Sequence, residues 1–272
     1  MPELPEVETT LRGIEPHIEQ QTLTKMIVRN RSLRWPIPEN LERILAGQVI
    51  TKLARRGKYL IFQCDVGNIL LHLGMSGRLR ILLQAMPPEK HDHVDMCFAN
   101  GKILRFTDPR RFGALLFTSE NPEQHALLAH LGPEPLTRAF NGEYLAKKAK
   151  SRNLAVKSFI MDGKIVVGVG NIYAAEALFQ AGIHPEKPAG KVSADQYLQL
   201  VTAIKTILQR AIKKGGTTLK DFSQSDGAPG YFSIELQVYG KHRQPCPRCK
   251  TTLELMRIGQ RSTVFCPACQ NL

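Results

Sequence analysis

The chain opens Met1-Pro2-Glu3-Leu4-Pro5-Glu6. An initiator Met is usually removed when the next residue is as small as Pro, which leaves Pro2 with a free secondary amine. An α-amino group titrates near ~7.7–8.0, so a neutral fraction able to attack an aldehyde-like carbon exists at working pH. The adduct of a proline is an iminium with no N–H to lose. Its positive charge therefore persists until hydrolysis, acidifies the neighbouring C–H and favours elimination. Glu3 and Glu6 stand beside this amine; one could protonate a leaving or ring oxygen and the other could hold a cationic intermediate. The same residues also suit a first helical turn, where Pro and acids are both favoured. The hexapeptide by itself leaves both readings open.

Four cysteines carry a second chemical signal. Cys246-Pro247-Arg248-Cys249 and Cys266-Pro267-Ala268-Cys269 are two Cys-x2-Cys knuckles with sixteen residues between them. The spacing matches a zinc pattern, and four thiolates close a tetrahedral shell, so one structural Zn2+ is expected. A redox pair of dithiols is the alternative. Leu253 to Ile258 and Ser262 to Cys266 read as the strands of a hairpin turning at Gly259-Gln260-Arg261. A metal would stiffen that hairpin and present Arg261 at its tip, a tool for a nucleic-acid groove or a phosphate. Cys64 and Cys97 lie in strand patterns and read as core residues.

Other residues fit contact with a polyanion. Arg55, Arg56 and Lys58 cluster ahead of a strand, either as a solvated charged edge or as a phosphate contact. His72 follows Ile69-Leu70-Leu71 and, on that pattern alone, reads as a core histidine. Asp108-Pro109-Arg110-Arg111-Phe112-Gly113 is a Pro-stiffened turn with two Arg and one Phe. It suits a wedge, since Phe can enter a base step and Arg can meet a base edge, but an ordinary loop with a buried Phe fits equally well. Gly168-Val169-Gly170-Asn171 places a Gly-rich turn before a helix, where backbone N–H groups bind phosphate readily; the full nucleotide fingerprint is absent.

The elements that must position these groups follow from periodicity. Val7, Leu11, Ile14 and Ile18 recur as one helix face, which Pro16 is expected to bend or end. Strands are expected at 22–28, 49–53, 59–64, 69–73, 93–98, 103–107 and 114–118, with Asn100-Gly101 as a hairpin turn. Such a series suggests an antiparallel sandwich or barrel. Helices are expected at 144–150, 154–161, 171–181 and 193–214. Ser193 and Gln196 form a capping box at the start of the last helix, and Gly215-Gly216 stops it. A polar, Gly-rich loop follows from Gly216 to Gly230 and includes Lys220.

The totals narrow the partners. The 272 residues allow two or three domains, and 43% hydrophobic with 22% charged is ordinary for a globular chain. The 37 Lys+Arg against 24 Asp+Glu leave a net charge of +13, which points to nucleic acid before an anionic membrane surface. No apolar run approaches the ~20 residues of a membrane span, and no signal-peptide pattern begins the chain. A cytosolic or nucleoid setting follows, in which six Cys are not a disulfide framework.

Together these residues resemble formamidopyrimidine-DNA glycosylase, the bacterial base-excision family for oxidised purines. The likeness runs through Met1 to Glu8, Lys58-Tyr59-Leu60, His72-Leu73-Gly74-Met75-Ser76-Gly77 and Asp108 to Gly113. It continues through Val167 to Tyr173, Gly215-Gly216-Thr217-Thr218 and the four-cysteine hairpin. The resemblance implies an α+β fold: an N-terminal antiparallel β-sandwich with a leading helix (1–118), a helix–two-turns–helix DNA-binding domain (119–236) with a lesion loop near 217–225, and a four-cysteine zinc-finger β-hairpin (237–271). It implies excision of 8-oxoguanine opposite cytosine and of formamidopyrimidines, followed by β,δ-elimination at the abasic site. The partner would be double-stranded DNA with oxidised purines or abasic sites, the protein a monomer of the bacterial cytoplasm associated with the nucleoid, with no membrane contact.

Roles follow residue by residue from the same resemblance. Pro2 is the nucleophile at C1′, Glu3 the proton donor and Glu6 its support. Lys58 is similar to the lysine of β-elimination and Arg261 to the arginine of δ-elimination. Lys58, His72, Asn171 and Arg261 would grip phosphates around the lesion. Met75, Arg110 and Phe112 would fill the gap left by the flipped base, with Arg110 facing the orphaned cytosine. His91, Arg152 and Lys220 fall at DNA-contact positions, and Cys246, Cys249, Cys266 and Cys269 hold zinc. Two other readings stand beside this one. Endonuclease VIII shares the architecture but prefers oxidised pyrimidines; Leu4 and the Asp108 to Gly113 turn favour the purine family. A non-enzymatic zinc-finger DNA-binding protein has no need of a free Pro2 amine beside Glu3.

Overall fold

The computed structural model describes residues 2–216 and 235–272. Met1, and the stretch that contains Lys220 and the expected lesion loop, lie outside the described residues. The chain divides into two compact units, Met1–His130 with Lys214–Tyr231, and Leu131–Lys213 with Phe232–Leu272.

In the first unit, helix α1 (Leu4–Ile18) begins at the Glu3 cap and buries Leu4, Val7, Leu11, Ile14 and Ile18. Pro16 lies inside this helix and does not end it. A proline removes one N–H near the last turn, and burial of Ile14 and Ile18 on either side of it outweighs that loss. The strands are β1 (Gln21–Val28), then, after the short helix α2 (Leu41–Leu45), β2 (Val49–Ile50), β3 (Lys52–Arg56), β4 (Tyr59–Cys64) and β5 (Gly67–His72). There follow β6 (Arg78–Leu82), β7 (Asp92–Phe98), β8 (Ile103–Thr107) and β9 (Ala114–Thr118). They form a five-stranded sheet, β2-β1-β7-β8-β6, and a four-stranded sheet, β3-β4-β5-β9, with every pairing antiparallel. One core joins Leu60, Phe62 and Leu71 of the smaller sheet, Leu23, Val94, Met96 and Phe106 of the larger, and the α1 stripe. This is a β-sandwich with its leading helix sealed into the core.

One local expectation needs correction, and two short elements were not expected. The stretch 49–53 is two strands, because Val49–Ile50 pairs with β1 while Lys52–Arg56 pairs with β4. The chain changes sheets at Thr51, whose N–H bonds Gln63 O at 2.8 Å. β6 was not expected, since it is short, carries Arg78 and Arg80, and ends on two adjacent apolar residues; cross-strand pairing with β8 supplies what the pattern lacks. α2 spans five residues, too short to show a period.

The second unit is helical, with α3 (Gly142–Ala149), α4 (Val156–Met161), α5 (Asn171–Gln180) and α6 (Ala194–Lys213). α6 begins at the expected capping box: Gln196 N–H donates to Ser193 Oγ at 3.2 Å, and Ser193 N–H to Gln196 Oε1 at 3.1 Å. Its buried stripe includes Tyr197, Leu200, Ile204 and Leu208. The antiparallel hairpin β10 (Glu254–Ile258) and β11 (Arg261–Phe265) packs on α5 through Phe179, Val238, Leu253 and Val264. Glu176 of α5 fastens the approach to this hairpin, its carboxylate accepting the N–H groups of Gln237, Val238 and Tyr239 at 2.8–2.9 Å.

Candidate active site and zinc centre

The amino end of α1 gathers the acid–base candidates. Pro2 is buried, as are Glu3 (3% exposed) and Glu6 (0%). The two acids cap the helix reciprocally: Glu3 N–H donates to Glu6 Oε2 at 2.8 Å, while the Glu3 carboxylate accepts the Glu6 N–H. Two carboxylates are thus fixed at the positive end of a helix, next to the residue that carries the candidate amine. The residues that start the helix are thus the same ones that stand beside the candidate amine. Gly216 lies against this pair, and a Cβ there would sit 3.1 Å from Glu6 Oε1.

Lys58 occupies a two-residue turn between β3 and β4, where Arg56 pairs with Tyr59 and Gly57 takes φ 58°. Arg55 fastens this turn: its Nε donates to Glu8 Oε2 at 2.8 Å and its guanidinium to Gly57 O at 3.0 Å. Burial pulls the Glu8 carboxyl upward, but Arg55 and then Arg12 hold it below the usual carboxylate range. Arg55 is thus a structural ion pair rather than part of a solvated edge.

His72 stands opposite Tyr59, their rings 4.7 Å apart. Burial first, then the nearby charges of Lys58 and Arg34, push its imidazole down to about 4. Its Nδ1 accepts the Gly74 N–H at 2.9 Å. The ring is therefore neutral at pH 7 with its proton on Nε2, a defined donor rather than a cation.

Two loops then meet back to back. Residues 73–77 carry Met75, and residues 108–113 carry Arg110 and Phe112. A Cβ on Gly74 would lie 2.4 Å from the Phe112 carbonyl carbon, so the backbones touch. Phe112 is 45% exposed, and the Arg110 guanidinium stacks 4.9 Å from its ring centre. His91 joins the same loop cluster, its carbonyl accepting the Asp108 N–H at 3.0 Å.

In the second unit, Asn171 opens α5 and the β10–β11 turn presents Arg261. The turn is Gly259-Gln260, with φ 51° and 63°, and Arg261 is the first residue of β11 rather than part of the turn. Lys157 joins the two, a residue the sequence reading passed over. It is 1% exposed, and its Nζ donates to Asn171 Oδ1 at 2.7 Å, Thr263 Oγ1 at 2.6 Å and Ser262 O at 3.3 Å. Asn171 Nδ2 also donates to Ser262 O at 3.2 Å. Lys157 thereby fixes the amide with its oxygen inward, and one amide N–H is taken by Ser262 O. A lone Lys at the start of a short apolar helix gives no sequence signal for such a role. Arg152 is exposed on a separate loop, tied through its backbone to Ala149 and Gly190. Lys220 lies outside the described residues.

The sulfur atoms of Cys246, Cys249, Cys266 and Cys269 all lie within 4.8 Å of one another. Three of the separations are 3.5, 3.5 and 3.9 Å. Four thiolates around tetrahedral zinc at ~2.3 Å stand about 3.8 Å apart, so the donor set fits one structural ion. Gln270 braces the second knuckle, accepting the Cys266 N–H at 2.9 Å and donating to Ile183 O at 2.9 Å. Cys64 and Cys97 sit in β4 and β7, their thiols pushed up by burial.

The formamidopyrimidine-DNA glycosylase N-terminal domain matches residues 1–115, the H2TH domain of the same family residues 131–223, and the zinc finger found in FPG and IleRS residues 243–272. A formamidopyrimidine-DNA glycosylase of Photobacterium profundum is 57% identical over 99% of this chain and 100% of its own length. Lactococcus lactis Fpg solved with DNA containing an abasic site superposes with a TM-score of 0.92 at 35% identity, covering 99% of this chain and 100% of the other. The wild-type Lactococcus lactis enzyme solved with an N7-benzyl-Fapy-dG DNA gives the same TM-score and identity over the whole of both chains. Among the described residues no helix is long and apolar enough to cross a membrane. Domain by domain and over its full length, the chain belongs to the formamidopyrimidine-DNA glycosylase family.

Proposed function

We propose that this protein is a base-excision repair DNA glycosylase and AP lyase that removes oxidised purines from duplex DNA through a Schiff base on Pro2. The observation that carries the reading is the reciprocally capped, buried pair Glu3 and Glu6 directly after Pro2. Loss of Met1 frees the Pro2 nitrogen, whose lone pair forms a bond to C1′ of the damaged nucleotide. As this bond forms the C1′–base bond breaks, the base leaving with the proton that the nitrogen sheds; Glu3 then protonates O4′ as the C1′–O4′ bond opens to the iminium, and Glu6 holds Glu3 and the cation. The iminium draws electrons from the C2′–H bond, a proton leaves C2′, and the 3′ phosphate departs. A second elimination releases the 5′ phosphate, and hydrolysis returns the amine. Lys58 assists the first elimination and Arg261 the second.

DNA is held by Lys58, His72, Asn171 and Arg261 on phosphates, with His91, Arg152 and Lys220 as outer contacts. His72 donates from Nε2 as a neutral ring, so its contact does not depend on protonation in the neutral range. Met75, Arg110 and Phe112 fill the gap left by base eversion, which costs a few kcal/mol. The net charge of +13 supplies affinity that falls with salt. Zinc stiffens the hairpin that carries Arg261 and takes no part in bond breaking. The protein acts as a monomer in the bacterial cytoplasm, on nucleoid DNA.

The test is borohydride trapping on a duplex with 8-oxoguanine opposite cytosine. The mature chain should form a covalent adduct, Pro2→Gly less, and a chain that keeps Met1 none. Trapping that survives blockage of the terminal amine would overturn the mechanism. Faster release of thymine glycol than of 8-oxoguanine would move the chain to the pyrimidine-specific relatives.

A further inference from the structure

Asp108 is fully buried, with 0% exposure, yet its side chain and backbone serve several segments at once. Oδ1 accepts the Ser76 hydroxyl at 2.7 Å and the Arg110 N–H at 3.3 Å, while Oδ2 accepts the Gly113 N–H at 2.8 Å. Ser76 Oγ also receives the Arg110 N–H at 3.2 Å. The Asp108 carbonyl accepts the Arg111 N–H at 3.2 Å and bonds His93 Nε2 at 2.8 Å, and its own N–H donates to His91 O at 3.0 Å. One carboxylate thus closes the turn 108–113 on itself and joins it to the loop that bears Met75.

The geometry around it is unforgiving. A Cβ on Gly113 would lie 3.0 Å from Asp108 Oδ2 and 2.9 Å from His72 O, and one on Gly77 would lie 2.2 Å from Leu73 O. Arg111 takes a left-handed φ of 56°, an unfavourable conformation for a non-glycine residue that persists only where neighbours over-determine it. The result of this constraint is an exposed aromatic, Phe112, with Arg110 stacked beside it. An apolar ring left in water by a buried carboxylate is an arrangement that stability alone does not require.

We infer that Asp108 is the positioning residue that turns Met75, Arg110 and Phe112 into a single rigid wedge, and that it thereby sets both base eversion and discrimination of the opposing base. This rests on the proposed gap-filling role of those three side chains. A wedge must be stiff before it meets DNA, because a floppy loop would have to be ordered at the expense of the energy needed to unstack a base.

The experiment uses the zinc-loaded full-length chain with Asp108→Asn, in which an amide N–H2 replaces one acceptor and faces backbone donors. Ser76→Ala is the milder second variant, removing one donor without disturbing the buried charge. Three rates are compared with wild type: excision of 8-oxoguanine opposite cytosine, the same lesion opposite adenine, and cleavage at a preformed abasic site. The inference expects excision opposite cytosine to fall by more than about tenfold beyond any loss at the abasic site, and the cytosine-to-adenine ratio to shrink towards one. Ser76→Ala should move both readouts the same way by a smaller factor. Equal losses on all three substrates, or an unchanged ratio in a folded Asp108→Asn protein, would overturn the inference. A wild-type chain that neither excises the lesion nor traps with borohydride would instead defeat the parent reading, so the two failures are separable.

Discussion

His72→Asn is expected to remove an acid sensitivity built into the native fold. The wild-type ring is held at about 4, far under its ordinary 6.5, by burial and then by Lys58 and Arg34. Protonation would place a proton on Nδ1, the atom that now accepts the Gly74 N–H, and so would break the bond that seats the Met75 loop. The sign follows from linkage: between the two values the unfolded chain binds a proton that the folded chain refuses, so stability rises with pH and falls on acidification. The folded–unfolded difference corresponds to about 2 kcal/mol lost by about pH 5 and about 3 kcal/mol at the acid limit. The residue keeps a partly exposed edge, so these are upper figures. Glu8, Asp92 and Asp95 are raised by burial but held low by their hydrogen bonds and arginine partners. They contribute stability that is lost only at more acid pH, as it falls through their folded values. His17 and His184 are also pushed down by burial and act in the same direction as His72, which makes the difference between wild type and variant the relevant quantity. Asn offers an acceptor to Gly74 N–H without titrating. The assays are urea unfolding from about pH 8 to about pH 5, followed by a probe in the β-sandwich unit, and an NMR titration of the His72 ring. A native midpoint near the ordinary histidine value, or identical pH slopes in wild type and His72→Asn, would refute the reasoning.

Lys157→Met should leave Asn171 Oδ1 and Thr263 Oγ1 short of a donor, free the amide to rotate, and weaken DNA binding by about 1–3 kcal/mol, read as Kd at fixed salt. Lys157→Arg should not restore it, since a planar fork does not reproduce three divergent donors. Gly216→Ala should destabilise the first unit by about 1–2 kcal/mol in chemical unfolding, because φ is 78° and the new methyl would crowd Glu6 Oε1. Cys266→Ser, or a strong chelator, should drop metal content from one zinc per chain, raise proteolysis within 243–272, and slow the second elimination more than the first.

Much of the fold was written locally. The capping box at Ser193 and Gln196, the Asn100-Gly101 hairpin and the strands 59–64, 103–107 and 114–118 follow from short-range pattern, because caps, tight turns and alternating faces are set by residues a few positions apart. The zinc knuckles were equally legible, since ligand spacing is a property of the chain itself. What the pattern missed depended on distant partners: β6 needs β8, the split at Thr51 needs two sheets, and Pro16 is carried through α1 by a core that the helix alone does not contain.

By itself, the sequence determined which groups are present for chemistry: a proline that can become a terminal amine, two acids beside it, a basic surplus and four thiols at metal spacing. Only the tertiary structure decided the state of those groups. It buried Glu3 and Glu6 against each other's N–H, drove His72 neutral, put Lys157 under Asn171 and gathered two loops on Asp108. The physical reason is that charge state and donor direction depend on desolvation by the surrounding fold, and for Lys157 and Asp108 on partners 14 to 106 residues away, which no local pattern records.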